Sequence, residues 1–327
     1  MIRYARAIGG SLVLAMWAFG VDPGAALAQT YPAKPIRLIF PFPPGGPTDL
    51  LGRAIAQKLS DQMGQQVLAD NRPGAGGNLG LELTAKAPPD GYTIVLSSPL
   101  VAISPSLYAK LNYDPIKDLA PISQVAVIQN GLLVHPSVPA RTLKELIQLA
   151  RRNPGKLNYG SGGVGTTTHL APELLKSLAK INLVHVPYKG SGLALIGLIG
   201  GEVDMLIMAV PAASGQIHAG KVRALAVLAD RRSPVIPEIP TTKEAGVDHF
   251  EVPIWYGILA PAATPREIVA RLNSELTKAL TSSDLKERLA ATGIEPMTST
   301  PEQFGSFIRS EMTRFAAVIK AAGIKPE

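Results

Sequence analysis

The sequence contains no cysteine. That absence removes disulfides, thiol nucleophiles, thiolate metal sites and lipid attachment at a processed N-terminus. Charged residues are sparse at 17% and aromatics at 5%, and the longest basic runs are the pairs Arg151-Arg152 and Arg231-Arg232. Nucleic-acid binding wants a basic stripe interleaved with aromatics, so no nucleic-acid partner is expected. The five histidines, His135, His169, His185, His218 and His249, stand apart. No HExxH or other ligand spacing joins them, and neither a metal nor a cofactor is expected.

A long hydrophobic run is also missing. The apolar stretch from Ile8 to Val21 is interrupted by Asp22, Pro23 and Gly24, short of the ~20 residues that span a bilayer. With Arg3 and Arg6 before it and Ala26-Leu27-Ala28 after it, residues 1–28 read as a secretory signal peptide cleaved after Ala28. The expected location is a bacterial periplasm. Cleavage removes two arginines and one aspartate, leaving 30 basic against 24 acidic residues, a net +6 in place of +7. That balance suits an anionic partner.

Roughly 300 mature residues exceed one core, so two domains are expected. Strand-like runs at 34–40, 67–70, 92–98, 131–135, 157–160, 181–187, 203–209, 222–229 and 252–260 alternate with helical ones. Leu51, Ile55, Leu59 and Met63 form one apolar stripe that stops at Gly64. Thr142 with Glu145, Thr264 with Glu267 and Thr300 with Gln303 have the spacing of capping boxes. Leu170, Leu174 and Leu178 mark another helix, interrupted by Pro172, whose ring is expected to kink it. Such alternation implies α/β layers with parallel-rich sheets flanked by helices. Residues 136–250 carry their own strands and helices, whereas the C-terminal helices have none of their own to cover. The expected division is therefore 29–127 with 252–327 as a discontinuous first domain and 128–251 as the second. The chain would cross twice, near 126–131 and 248–254, and two crossings make a hinge.

Two stretches carry the chemistry. PFPPGGPTD (41–49) follows a strand, turns on Gly45-Gly46 and opens a helix at Thr48 or Asp49. Backbone N–H groups at such a helix start attract anions. YGSGGVGTTTHL (159–170) offers the same design. Its Gly160-x-Gly162-x-x-Gly165 matches the dinucleotide fingerprint, but the strand ending near Tyr188-Lys189 lacks the acidic ribose ligand. Thr166 stands where a phosphate loop needs lysine, and Tyr159 where a hydrolase elbow needs glycine. His185, inside an apolar strand, reads as a core histidine; His169, one turn into the helix, is placed to orient the loop or to reach a ligand. If both loops face one cleft, two helix N-termini can hold an anion with two negative ends.

PFPPGGPTDLLGR (41–53), NRPGAGGNLG (71–80), PDGYTIVL (89–96), YGSGGVGTTTHL (159–170), VPYKGSG (186–192), LIGGEVDM (198–205) and WYGILAPAATP (255–265) resemble the Bug family, the TctC-like receptors of tripartite tricarboxylate transporters. The resemblance implies a periplasmic Venus-flytrap protein, monomeric and without catalysis, that closes on a small carboxylate and serves membrane subunits. On that pattern Phe42, Gly45, Gly46, Thr48 and Asp49 line one wall, Ser97 and Ser98 end another strand, and Gly162, Gly165, Thr166, Thr167 and His169 form the opposite wall. Departures stand at Leu193, Gly197 and Met208, where relatives often have proline, aspartate and aspartate. Met208 either faces the ligand with an apolar thioether, disfavouring amino acids, or belongs to the core. A competing reading is an exported hydrolase or transferase acting on a small carboxylate, with Asp49 or His169 as base.

Overall fold

The computed structural model describes residues 31–326; the expected signal peptide lies outside them. In chain order the elements are β1 Ile36–Phe40, α1 Pro47–Met63, β2 Val67–Asn71, α2 Asn78–Ala85, β3 Thr93–Ser97, α3 Leu100–Leu107, β4 Leu119–Ile128, β5 Asn130–Val134, α4 Leu143–Arg152 and β6 Asn158–Ser161. There follow α5 Thr167–Ala179, β7 Val184–Pro187, α6 Ser191–Ile199, β8 Met205–Ala209, α7 Val210–His218, β9 Arg223–Val227, β10 Ile254–Pro261, α8 Arg266–Thr281, α9 Ser283–Ala290, β11 Glu295–Pro296 and α10 Pro301–Ala321.

The strands make two sheets, β11-β4-β10-β3-β1-β2 and β7-β6-β8-β5-β9. Helices cover both faces of each. In the first lobe α1, α8 and α9 pack on one face, and α2, α3 and α10 on the other. In the second lobe α4 and α5 oppose α6 and α7. The stripe of α1 is buried as its spacing predicts, Leu51, Ile55 and Leu59 completely. Each such side chain contributes about 1.5–3 kcal/mol. Gly64 ends that helix in the left-handed region, its N–H donating to the Ser60 carbonyl at 3.1 Å.

The sheets are mixed rather than parallel-rich. β1 runs parallel to β2 and β3, and β6 parallel to β7 and β8, but β10 is antiparallel to β3 and β4, and β5 is antiparallel to β8 and β9. The cause is the crossing itself. β5 and β10 each enter their sheet from the edge facing the other lobe, so each runs against the neighbours whose ends lie on that edge.

Three local expectations are corrected. Thr264 does not cap α8; its hydroxyl donates to the Pro261 carbonyl at 2.7 Å, and Pro265 takes the N-cap position. Leu178 is 41% exposed, because the face of α5 turned to the sheet is set by Ala171 and Leu175. β4, ten residues long, has no counterpart among the expected strands. The boxes at Thr142 and Thr300 do form: Thr142 Oγ1 accepts from Glu145 N–H, and Thr300 and Gln303 bond reciprocally.

Candidate ligand site between two strand-to-helix loops

Strand direction places the two glycine-rich loops. β1, β3 and β4 end on one edge of the first sheet, and β4 leads through Gln129 directly into β5. β5 is antiparallel to β8, and β8 is parallel to β6, so the ends of β6 and β8 lie where β5 begins. Loops 41–49 and 161–169 thus leave the two edges that the crossing joins.

In the first loop Gly45, at φ +88°, adopts a turn that only glycine takes without strain. Pro47 opens α1 and Gly46 is its N-cap, with no side chain capping it. Asp49 is the organiser. Its carboxylate accepts from Gly45 N–H at 3.1 Å, from Asn71 Nδ2 at 3.1 Å and from Arg53 Nε at 3.0 Å. Asn71 Nδ2 also donates to the Phe42 carbonyl at 3.0 Å. These donors, Arg53 foremost, hold the Asp49 carboxyl below the usual carboxylate range. The Thr48 and Asp49 N–H groups belong to the first turn of the helix, which has no carbonyl one turn back to receive them. Thr48 is buried, Phe42 half-buried, and Gly45 exposed. Ser97 and Ser98, both buried, end β3, the Ser97 hydroxyl donating to the Ser98 carbonyl at 3.3 Å.

The second loop is held by neutral groups. Gly162 N–H donates to Thr168 Oγ1 at 2.7 Å, Gly165 N–H to His169 Nδ1 at 3.0 Å, and the Thr166 hydroxyl to the Gly163 carbonyl at 2.7 Å. Since Nδ1 accepts, the His169 proton sits on Nε2. Burial first, then neighbouring His185, pushes the His169 pKa down to about 4. The two imidazoles stack with centroids 3.9 Å apart and planes 10° from parallel. A Cβ on Gly162 would stand 2.9 Å from the Ser191 nitrogen, and one on Gly165 2.1 Å from Leu107 Cδ1 of the first lobe. The loop therefore touches both α6 and the opposite lobe. Thr167 and Thr168 N–H open the first turn of α5.

His169 thus orients its loop, one of the two roles the sequence allowed. His185 is not an inert core residue: it is half-buried, and its Nε2 lies 2.6 Å from Ser161 Oγ. Met208 is 2% exposed and packs with Leu133, Ala194, Leu198 and Val210; the structure places it among core side chains, the alternative the sequence left open. Ser161, Thr168, Arg53 and Asn71 were not among the expected site residues, and His185 was expected only in the core. The Asp49–Arg53 spacing of four was a visible signal; Asn71, reached through a sheet neighbour, had none.

The Ser161–His185 contact is the nearest thing to a nucleophile and base, but the carboxylate in this cluster, Glu173, bonds Tyr159 and Lys176 instead. Among the described residues no acid orients the His185 ring and no base-and-orienter pair of a hydrolase forms. Of the two bases the sequence offered, Asp49 is committed to its three donors and His169 Nδ1 to Gly165 N–H.

Two α/β lobes joined by crossings, with anion-seeking loops on the shared edge, define a two-lobed solute-binding protein. The chain belongs to the TctC family, described as the tripartite tricarboxylate transporter family receptor, whose model matches residues 51–324. Protein BugT of Bordetella pertussis is 40% identical over 303 residues, covering 91% of this chain and 92% of that one. A Rhodopseudomonas palustris protein solved with adipate is 37% identical at a TM-score of 0.80, covering 91% of this chain and all of that chain. A second protein from that organism, solved with bound malate, is 32% identical at a TM-score of 0.74, covering 88% and 100%. The chain is a binding protein and not an enzyme, which overturns the hydrolase or transferase reading.

Proposed function

We propose that this protein is a periplasmic receptor that captures a small non-amino carboxylate between its lobes and delivers it to the membrane subunits of a tripartite transporter. Residues 1–28 are the export signal; 29–127 with 252–327 form one lobe and 128–251 the other; the working form is a monomer. The observation that carries the reading is the pair of loops whose free N–H groups, at Thr48 and Asp49 and at Thr167 and Thr168, open two helices on the edges joined by the crossing. Each end favours a carboxylate through its dipole and charge-assisted bonds. The N–H groups of Thr48, Asp49, Thr167 and Thr168 form the grip, and Gly45, Gly46, Gly162, Gly165 and Thr166 shape the turns that aim them. Phe42, Ser97 and Ser98 border it, while Asp49 and His169 shape it.

The adipate and malate bound by relatives are both non-amino dicarboxylates, and that agreement supports the class. Selectivity against amino acids rests on the committed state of Asp49. A ligand ammonium would find no uncommitted carboxylate in either loop, and an unpaired buried charge is costly. Titration calorimetry with adipate, malate, succinate and an aromatic acid is expected to give binding to at least one, and none to aspartate or glutamate. Tight binding of either amino acid sinks the class.

A further inference from the structure

The two crossings are not loose linkers. Leu228 N–H donates to the Asn130 carbonyl at 2.8 Å, and Val252 N–H donates to the Leu228 carbonyl at 3.1 Å. The buried Asn130 Nδ2 donates to the Val252 carbonyl at 2.7 Å. Three chain passes thereby close a ring of hydrogen bonds, and the ring belongs to the second lobe. On its other side the first sheet begins at once, since Ile128 of β4 pairs with Ile254 of β10. One residue remains between ring and sheet in each crossing, Gln129 in the first and Pro253 in the second.

From this we infer that the hinge between the lobes consists of Gln129 and Pro253 alone, with Asn130 as the positioning residue that fastens both crossings to the second lobe. The inference rests on the two-lobed receptor reading. The Gln129 carbonyl accepts from Val210 N–H at 2.9 Å, which fixes the peptide after it to the second lobe. Only the φ and ψ of Gln129 are then left to turn. Val252 O is fixed by Asn130, and the ring of Pro253 locks its φ, leaving ψ. Hinges elsewhere likewise concentrate at a few element-terminal residues.

A second observation marks the same spot. Four buried side-chain polar atoms among the described residues lack a hydrogen-bond partner, and two of them are Gln129 Oε1 and Asn130 Oδ1. Unpaired buried acceptors are unfavourable, and a pivot that turns can present them to donors that this arrangement denies. Contacts that bridge the lobes nearby must accommodate the motion, among them the ion pair of exposed Arg231 with Glu295 of β11. Arg314 of α10 donates to the Glu251 carbonyl at 2.9 Å, through a long flexible side chain. Leu170 of α5 packs among the side chains of α3 and α10, an apolar contact that can slide.

The test uses the full mature chain. Because it has no cysteine, Gln57→Cys and Lys144→Cys, on exposed helix positions of the two lobes, take one spin label each, and pulsed dipolar spectroscopy reads the interlobe distance distribution. In ligand-free protein, Asn130→Ala and Pro253→Gly are each expected to roughly double the width of that distribution. Asn158→Ala, which cuts a bond to Asp204 inside the second lobe, leaves it at the parental width. Equal widths in hinge variants and control, at matched loss of Tm, overturn the inference. If Asn130→Ala does not fold, Pro253→Gly decides, since it leaves the ring intact. Adipate and malate are then added to the parental protein, with binding followed by calorimetry. An acid that binds without shifting the distance sinks closure on the ligand, while the ligand-free widths still decide where the hinge lies.

Discussion

The two loops share one plan, strand, glycine turn and helix start, yet they are fastened by opposite means. Loop 41–49 is held by an ionised carboxylate, Asp49, with Arg53 and Asn71 around it. Loop 161–169 is held by the Thr168 hydroxyl and a neutral imidazole. Both fastenings take the N–H groups that would otherwise point at random and leave those of the first helical turn for the ligand. The lesson is that an anion site needs its donors aimed more than it needs cations. Arg53, beside the first loop, serves a carboxylate of the protein itself.

The comparison breaks most visibly at Asp49. Its removal strands Gly45 N–H, Asn71 and Arg53 together, so Asp49→Ala is expected to weaken carboxylate binding roughly a hundredfold, read by calorimetry, with a lower Tm. An unchanged affinity would show that the first loop keeps its shape unaided.

Acid separates the loops. His169 is neutral in the folded protein with its pKa lowered from 6.5 to about 4, so the unfolded chain takes up its proton first. Stability from this residue is complete above pH 6.5 and is lost progressively as pH falls towards 4. Asp49 shifts in the same direction but titrates in a lower window. Its carboxylate contributes above 3.8, its ordinary value, and that contribution is lost only as pH falls through its lowered pKa. Urea unfolding at pH 7, 5.5 and 4.5 is expected to show a decline that His169→Gln flattens and Asp49→Asn leaves in place. A decline insensitive to His169→Gln would count against the second loop as the acid-labile one.

The smallest effect is expected at Arg53, which is half-exposed. Arg53→Lys loses the fork to Asp49 and the bond to Asn71 but keeps the charge. A loss of affinity of a few-fold at most, shrinking in high salt, is expected; a loss equal to that of Asp49→Ala would make the guanidinium a ligand contact.

Much of this was legible in the sequence because it is local. Gly45, Gly162 and Gly165 announce turns, the stripe of Leu51, Ile55 and Leu59 announces α1, and the boxes at Thr142 and Thr300 announce helix starts. What was hidden depends on distant partners. β4 carries buried Ser123 and Gln124 and a proline at 121, which interrupt any strand pattern. They fit because Ser299, from the far end of the chain, accepts from both, its Oγ from the Gln124 N–H at 2.9 Å and its carbonyl from the Ser123 hydroxyl at 3.1 Å. The fastening of the first loop reaches Asn71 on β2, and the stacking of His169 on His185 joins α5 to β7. Met208 was ambiguous because an apolar residue near a strand end fits both core and cleft.

The position of β10 imposes an order on folding. It lies between β3 and β4 in the first sheet, so until residue 254 and beyond are available that sheet is split, and β4 has no partner among the earlier strands. The second sheet uses only strands between Asn130 and Val227, all contiguous in the chain. Its contacts close shorter loops than those of β10 with β3 and β4, and longer closures are slower. The second lobe is therefore the part able to assemble early, and the first lobe is completed last, around a middle strand that arrives only after the crossings are tied.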